Sequence, residues 1–231
     1  MAVVYLVPAP LEDETTNCIP AYILEAVKQC NVLFVENERT ARRYLKKLDK
    51  AIVIDDFEWF TIHKAEEGVK QQFVQKLKEG KTIGIISEAG CPGVADPGQV
   101  LIEAAHKQKA TIKPLVGPSS VLLALMGSGM NGQQFSFVGY LPIDEQQRKR
   151  KLHQLEEISA KQQSTQIFIE TPYRNNQLLE TIIKNCKPQT RICVAANLTA
   201  ANETIETRTV ADWKIKKPDL HKQPVIFCLM G

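Results

Sequence analysis

The segment that most constrains this chain is Ser87-Glu88-Ala89-Gly90-Cys91-Pro92-Gly93-Val94-Ala95-Asp96-Pro97-Gly98. It follows an apolar run, Thr82-Ile83-Gly84-Ile85-Ile86, and precedes a helical pattern, Gln99-Val100-Leu101-Ile102-Glu103-Ala104-Ala105. A loop rich in glycine and proline thus leaves the carboxyl end of a buried strand and enters a helix. Open α/β sheets bind their ligands at such ends. Glycines let backbone groups approach a ligand closely, and prolines hold the loop in one shape. An ordinary strand-to-helix turn is written with the same residue types.

The same alternation runs through the first half. Apolar runs predict strands at 3–7, 32–35, 51–54, 82–86 and 111–116. Helical spacing falls at 19–28, 41–48, 66–78 and 99–107, with Gly80 as a stop after the third. Continuous apolar strands predict a mostly parallel sheet covered on both faces. No strand is followed by G-x-G-x-x-G and no Walker A sequence occurs, so the dinucleotide and P-loop fingerprints are missing. Gly117-Pro118-Ser119-Ser120 opens a helix over 121–126, with either serine a candidate cap. The domain boundary is set there, giving 1–117 and 118–231; the loop 127–132 is a rival position. The second half carries strands at 135–138, 166–169, 191–195 and 225–229 and helices near 145–161 and 175–185. Residues 203–210 alternate and predict a hairpin return. This half reads as α+β with a mixed or antiparallel sheet.

With 231 residues, 44% of them hydrophobic and 24% charged, the chain has material for a core. A net charge of +3 gives no global argument for nucleic acid. Arg42-Arg43 with Lys46-Lys47, and Arg148-Lys149-Arg150-Lys151, are local basic clusters, and solvated helix faces look the same. Six cysteines and four scattered histidines match no zinc spacing, so no metal is expected. Reduced thiols fit a cytoplasmic protein. Val3–Val7 is too short for a membrane span and lacks a basic leader.

Six segments, in order, resemble the tetrapyrrole methylase superfamily of S-adenosylmethionine-dependent methyltransferases. They are Tyr5–Leu11, Val35–Arg39, the 87–98 loop, Val116–Ser119, Phe137–Pro142 with the basic run after it, and Phe168–Arg174. Within the superfamily the pattern is most similar to the branch that methylates a ribose 2′-OH of small-subunit ribosomal RNA. The resemblance implies two α/β domains facing across a cleft, with S-adenosylmethionine between them. It implies a homodimer and an RNA or ribosomal-subunit substrate. Carried over, the cofactor contacts are Leu11, Ala89, Gly90, Cys91, Val94, Ser119, Ser120, Thr171, Ala195, Ala196 and Pro224. Ser119 also reads as a plain cap, Ala195 as core and Pro224 as a strand-edge residue.

Glu36, Arg39, Asp96, Glu170, Tyr173 and Arg174 are the candidates for handling the acceptor. A carboxylate at the end of a buried strand needs a partner, so Arg39 or Arg174 equally suits a structural ion pair. Asp96 before Pro97 also suits a turn. Cys91 has no His or Asp arrangement near it to make it a nucleophile. The chain departs from the branch at Glu12-Asp13-Glu14, at Asn37-Glu38, at Glu88 and Cys91, and at Asn197-Leu198-Thr199-Ala200. A small-molecule, tetrapyrrole or protein acceptor, or a silent cofactor-binding module, fits those departures too.

Overall fold

A computed structural model describes residues 2–12, 15–62 and 66–231, without the side chains of 66 and 67. Asp13 and Glu14, two of the three acids of the first loop, lie outside the described residues. The chain divides into two compact units, Met1–Ser119 and Ser120–Gly231.

The first unit alternates β1 (Val3–Val7), α1 (Tyr22–Lys28), β2 (Val32–Val35), α2 (Glu38–Leu48), β3 (Glu58–Thr61), α3 (Glu66–Lys78), β4 (Thr82–Ile86), α4 (Gln99–Lys107) and β5 (Thr111–Pro114). Its five strands are ordered β3-β2-β4-β1-β5, and all pairs are parallel. Alternate strand residues face opposite layers. Val7, Leu33, Val35 and Ile86 pack with Ile23, Val27, Tyr44 and Leu45 of α1 and α2. Val4, Val32, Phe34, Ile83 and Ile85 pack with Phe73, Leu77, Leu101 and Ala105 of α3 and α4. Neighbouring β1 and β4 therefore send their chains to opposite faces, which opens a crevice at their carboxyl ends.

The strand expected at 51–54 is not a strand. Ala51 N–H donates to Asp49 Oδ1 (2.8 Å) and Ile52 N–H to Asp49 O (3.2 Å), which turns the chain. A 3-10 turn, Ile54–Asp56, follows. The third strand is instead Glu-Trp-Phe-Thr at 58–61, where aromatic and β-branched residues suit a pleated edge. Ile52 is buried without pairing, and an apolar run of this length does not reveal which. Helix α2 begins at Glu38, ahead of the expected Ala41, because the Asn37 side chain accepts from Thr40 N–H and caps it. Helix α1 begins at Tyr22, later than the expected Ile19.

The second unit contains α5 (Ser120–Ser128), β6 (Phe135–Tyr140), α6 (Glu145–Gln162), β7 (Thr165–Ile169), α7 (Asn175–Asn185), β8 (Arg191–Ala196), β9 (Thr204–Thr209), α8 (Val210–Ile215) and β10 (Val225–Met230). Its sheet, β6-β7-β10-β8-β9, is mixed: β6 and β7 are parallel and the other pairs antiparallel. The expected hairpin is β8–β9. Leu152, Leu155, Leu178, Ile182 and Trp213 cover one face, over Phe168, Ile192, Val194 and Phe227. On the other face α5 packs on β8, β9 and β10, with Thr207 Oγ1 donating to Ser128 O at 2.8 Å. Among the described residues no helix is long and apolar enough to cross a membrane, and all six cysteines are free thiols.

Candidate active site

In the first unit, loops leaving β1, β4 and β5 meet at the carboxyl edge of the sheet. Ala9 and Gly90 exchange two backbone hydrogen bonds, N–H to O at 2.9 and 3.0 Å. Gly90 has φ +78°, left-handed backbone that an L side chain resists. Ser87 Oγ donates to Gly90 O (3.0 Å) and is buried. Cys91 Sγ donates to Pro118 O (3.4 Å), tying the long loop to the Gly117-Pro118 turn. Burial raises the Cys91 thiol above its ordinary pKa, so it remains a protonated donor and not a nucleophile. A Cβ on Gly117 would lie 2.1 Å from Pro8 Cβ, so β1 and β5 loops approach this closely only because position 117 is glycine. Leu11 Cδ2 and Pro118 O flank the Gly90 Cα at 3.4 and 3.5 Å from where its Cβ would stand. Ser119 and Ser120 are half-buried, whereas Ala89 and Val94 are exposed.

Asp96 Oδ1 accepts from Gly93 N–H (3.1 Å) and Gly98 N–H (2.6 Å), so it shapes the loop that contains it. Ala95 beside it is held at φ +59°. Glu36, at the end of β2, accepts from Glu88 N–H through Oε2 at 2.9 Å. Burial, joined by the carboxylates of Asp96 and Glu88, raises the Glu36 carboxyl above its ordinary range; the Glu88 N–H opposes this. Among the described residues, Glu36 Oε1 has no hydrogen-bond partner and Arg39, exposed on α2, has no ion pair. Glu36 and Arg39 are not paired to each other.

In the second unit, the ends of β7 and β8 and the start of β10 share one edge, since Ile169 pairs with Ile226 and Ala196 with Val225. Glu170, its side chain 1% exposed, pairs with Arg174 at 2.6 Å. Glu170 Oε1 also accepts from Thr171 N–H (2.6 Å), and Arg174 Nε reaches Thr171 Oγ1 (3.2 Å). This carboxylate and guanidinium lock the turn that presents Thr171. Ala195 and Ala196 are fully buried on opposite faces of β8, with their backbones engaged by β9 and β10. Pro224 is exposed, and its carbonyl accepts from Asn197 N–H at 3.0 Å.

Several participants escaped the sequence reading. Tyr44 OH donates to Pro8 O (2.8 Å) and Val116 N–H donates to Tyr22 OH (2.7 Å), so α2 and α1 brace the β1 and β5 loops. Asn175 and Asn197 donate to Gln223 O and Oε1, both at 2.7 Å. Among the described residues, Asn175 Oδ1 and Thr199 Oγ1 are buried with no partner. Sequence reasoning did offer Arg174 as a partner for a strand-end carboxylate and Asp96 as a turn former, and both contacts are present. Among the described residues no cluster of His, Cys, Asp and Glu assembles that could hold a metal.

Known proteins share this architecture. The chain is 29% identical over 233 residues to Ribosomal RNA small subunit methyltransferase I of Vibrio cholerae serotype O1, covering 99% of this chain and 77% of that protein. To the protein of the same name from Halalkalibacterium halodurans it is 29% identical over 182 residues, covering 78% of this chain and 58% of the relative. The chain therefore spans 77% and 58% of the length of these two relatives. Diphthine synthase has the same fold, with a TM-score of 0.70 at 13% identity over 100% of this chain and 90% of the other. Residues 3–213 match the sequence profile of the Tetrapyrrole (Corrin/Porphyrin) Methylases, and the chain belongs to that family of methyltransferases.

Proposed function

We propose that this methyltransferase uses S-adenosylmethionine and methylates a ribose 2′-OH of small-subunit ribosomal RNA. The observation that carries the acceptor is the likeness, over 99% of the chain, to a protein named for that RNA. The cofactor supplies an electrophilic methyl on a sulfonium, a chemistry that needs no metal. The residues suit such a ligand. Leu11, Ala89, Gly90, Cys91, Val94, Ser119 and Ser120 offer small or neutral groups at the first carboxyl edge. The carboxylates of Glu36, Glu88 and Asp96 near them complement a cation better than a phosphate. In the second unit Thr171 and Pro224 sit on the edge that also holds the unpartnered Thr199 Oγ1. Ala195 and Ala196 contribute there by being small, as their polar backbone is already paired.

Of the candidate carboxylates, Asp96 and Glu170 are committed to their own turns. Glu36 retains an open oxygen and a raised pKa, so we assign it the role of taking the acceptor's proton. Exposed Arg39, three residues on, suits a phosphate of the acceptor. The same reading makes the enzyme cytoplasmic, in line with its free thiols, and a homodimer. Exposed apolar groups of the edge strand β6, Phe135 and Tyr140, support a covered face.

Two measurements test this. Isothermal calorimetry should give heat with S-adenosylmethionine, and labelled methyl should transfer to undermethylated small ribosomal subunits, mapping to a ribose. Absence of cofactor heat removes the donor. Cofactor binding without transfer to subunits assigns a small-molecule or protein acceptor instead.

A further inference from the structure

The edge of the second unit carries a surface that the cofactor and proton-transfer roles leave unused. Tyr173, within the turn locked by Glu170 and Arg174, is 70% exposed. The His221 ring stands edge-on to it, with centroids 6.0 Å apart and planes at 72°. His221 belongs to the segment 214–224, which presents Lys214, Lys216, Lys217 and Lys222 to solvent and has Asp219 as its one acid.

That segment is strapped down. Lys222 N–H donates to Pro172 O (3.1 Å), and Leu220, buried, donates its N–H to Asn176 Oδ1 (2.8 Å). Asp219 Oδ1 accepts from Asn176 Nδ2 (2.8 Å) and His221 N–H (3.0 Å). These two donors hold the Asp219 carboxyl below its ordinary range. The one acid of the segment is therefore spent on fixing the loop, Lys217 pairs with Glu180 of α7 at 3.2 Å, and Lys222, next to His221, faces water. A large aromatic left mostly exposed on a rigid turn, with a second ring at its edge and Lys222 tied to the same turn, has the composition of a base-stacking site with a phosphate contact.

We propose that Tyr173 and His221 form a stacking platform for an unpaired base of the RNA, with Lys222 on the adjoining phosphate. This rests on the RNA reading above and specifies its form: single-stranded RNA, held by one ring surface. Stacking is tolerant of base identity, so the platform grips rather than selects.

The test uses the full chain and a labelled single-stranded RNA dodecamer of small-subunit sequence, with its duplex as a control, read by fluorescence anisotropy. Tyr173→Ala should weaken single-strand binding by about tenfold while Tyr173→Phe binds as wild type, since the ring and not the hydroxyl stacks. Lys222→Asn keeps a residue that tolerates φ +59°. It should lower the slope of log affinity against log salt by about 0.7, one phosphate contact on a single strand. Both variants should bind S-adenosylmethionine as wild type does, and both should raise the KM for small subunits more than they lower kcat. Equal weakening of single strand and duplex would reduce the surface to a charge patch and overturn the stacking. Wild-type KM in Tyr173→Ala, in an enzyme that does methylate subunits, overturns the platform alone. A wild-type protein that methylates no RNA overturns the acceptor reading, and the platform with it.

Discussion

At the scale of single residues, the first-unit site is set by backbone conformation and one unusual carboxylate. Gly90 holds φ +78° while exchanging two hydrogen bonds with Ala9. A branched side chain there fights the left-handed backbone, so Gly90→Val should lose about 2 kcal/mol of stability and its calorimetric signal with S-adenosylmethionine. Unchanged cofactor affinity would put the ligand elsewhere. Ala95 shows the opposite case: a left-handed alanine that glycine would relax, so Ala95→Gly should gain roughly 0.5 kcal/mol in chemical denaturation, after the extra freedom of the unfolded glycine is subtracted. Glu36 links stability to chemistry. Its raised pKa means that the folded state holds the proton more tightly than the unfolded chain. Native stability is thus lost as pH climbs from the ordinary carboxylate pKa through the raised one, and the loss persists above it. Glu36→Gln should be more stable than wild type at pH 7, and the difference should vanish below the ordinary carboxylate range. Its kcat should fall by about 100-fold if Glu36 takes the acceptor's proton. A variant that is more stable and equally fast would leave Glu36 a strained bystander.

At the scale of elements, the first candidate edge is held by contacts between loops far apart in sequence, and the second by a pair within one turn. Gly117 lets the β5 loop touch the Pro8 ring, and Pro8 in turn accepts from Tyr44 of α2. An added methyl meets a rigid ring, so Gly117→Ala should cost about 2 kcal/mol and weaken cofactor binding with Leu11 and Cys91 untouched. The corresponding lock in the second unit is Glu170–Arg174. Removing the guanidinium leaves a carboxylate, 1% exposed, with only the Thr171 N–H. Because Arg174 is itself partly open to water, Arg174→Ala should cost about 2 kcal/mol, below the range for a fully buried pair. A thermal melt matching wild type would show that water replaces the arginine. A carboxylate at a strand end needs a partner, which made Arg174 a candidate beforehand, as it did Arg39. Cys91 to Pro118 and Tyr44 to Pro8 were not readable, because nothing local in a cysteine or a tyrosine names a carbonyl 27 or 36 residues away.

At the scale of the molecule, each unit owns a core: two layers around a parallel sheet in the first, and a dominant cluster under α6, α7 and α8 in the second. Units of about this size commonly fold alone. Residues 120–231 expressed alone should therefore show a cooperative denaturant transition and retain the near-ultraviolet signal of buried Trp213; a non-cooperative loss would show that its core is incomplete. The boundary expected near Gly117 and the observed division after Ser119 differ by the two residues that lead into α5.

The chain's own pattern of apolar runs and amphipathic stretches determined most of the strands and helices, that the first sheet is parallel, and where loops leave its carboxyl edge, because those properties follow from local periodicity and from the burial of both sheet faces. The strand expected at 51–54 shows the limit, since a four-residue apolar run satisfies a core equally well as a turn; β3 at 58–61 and helix α8 were not foreseen. Folding alone decided the order β3-β2-β4-β1-β5, the choice of Glu170 over Glu36 for an arginine partner, and the meeting of Tyr173 with His221. Each depends on which distant residues come within a few ångströms, and that is fixed by packing the whole sheet rather than by any segment of it.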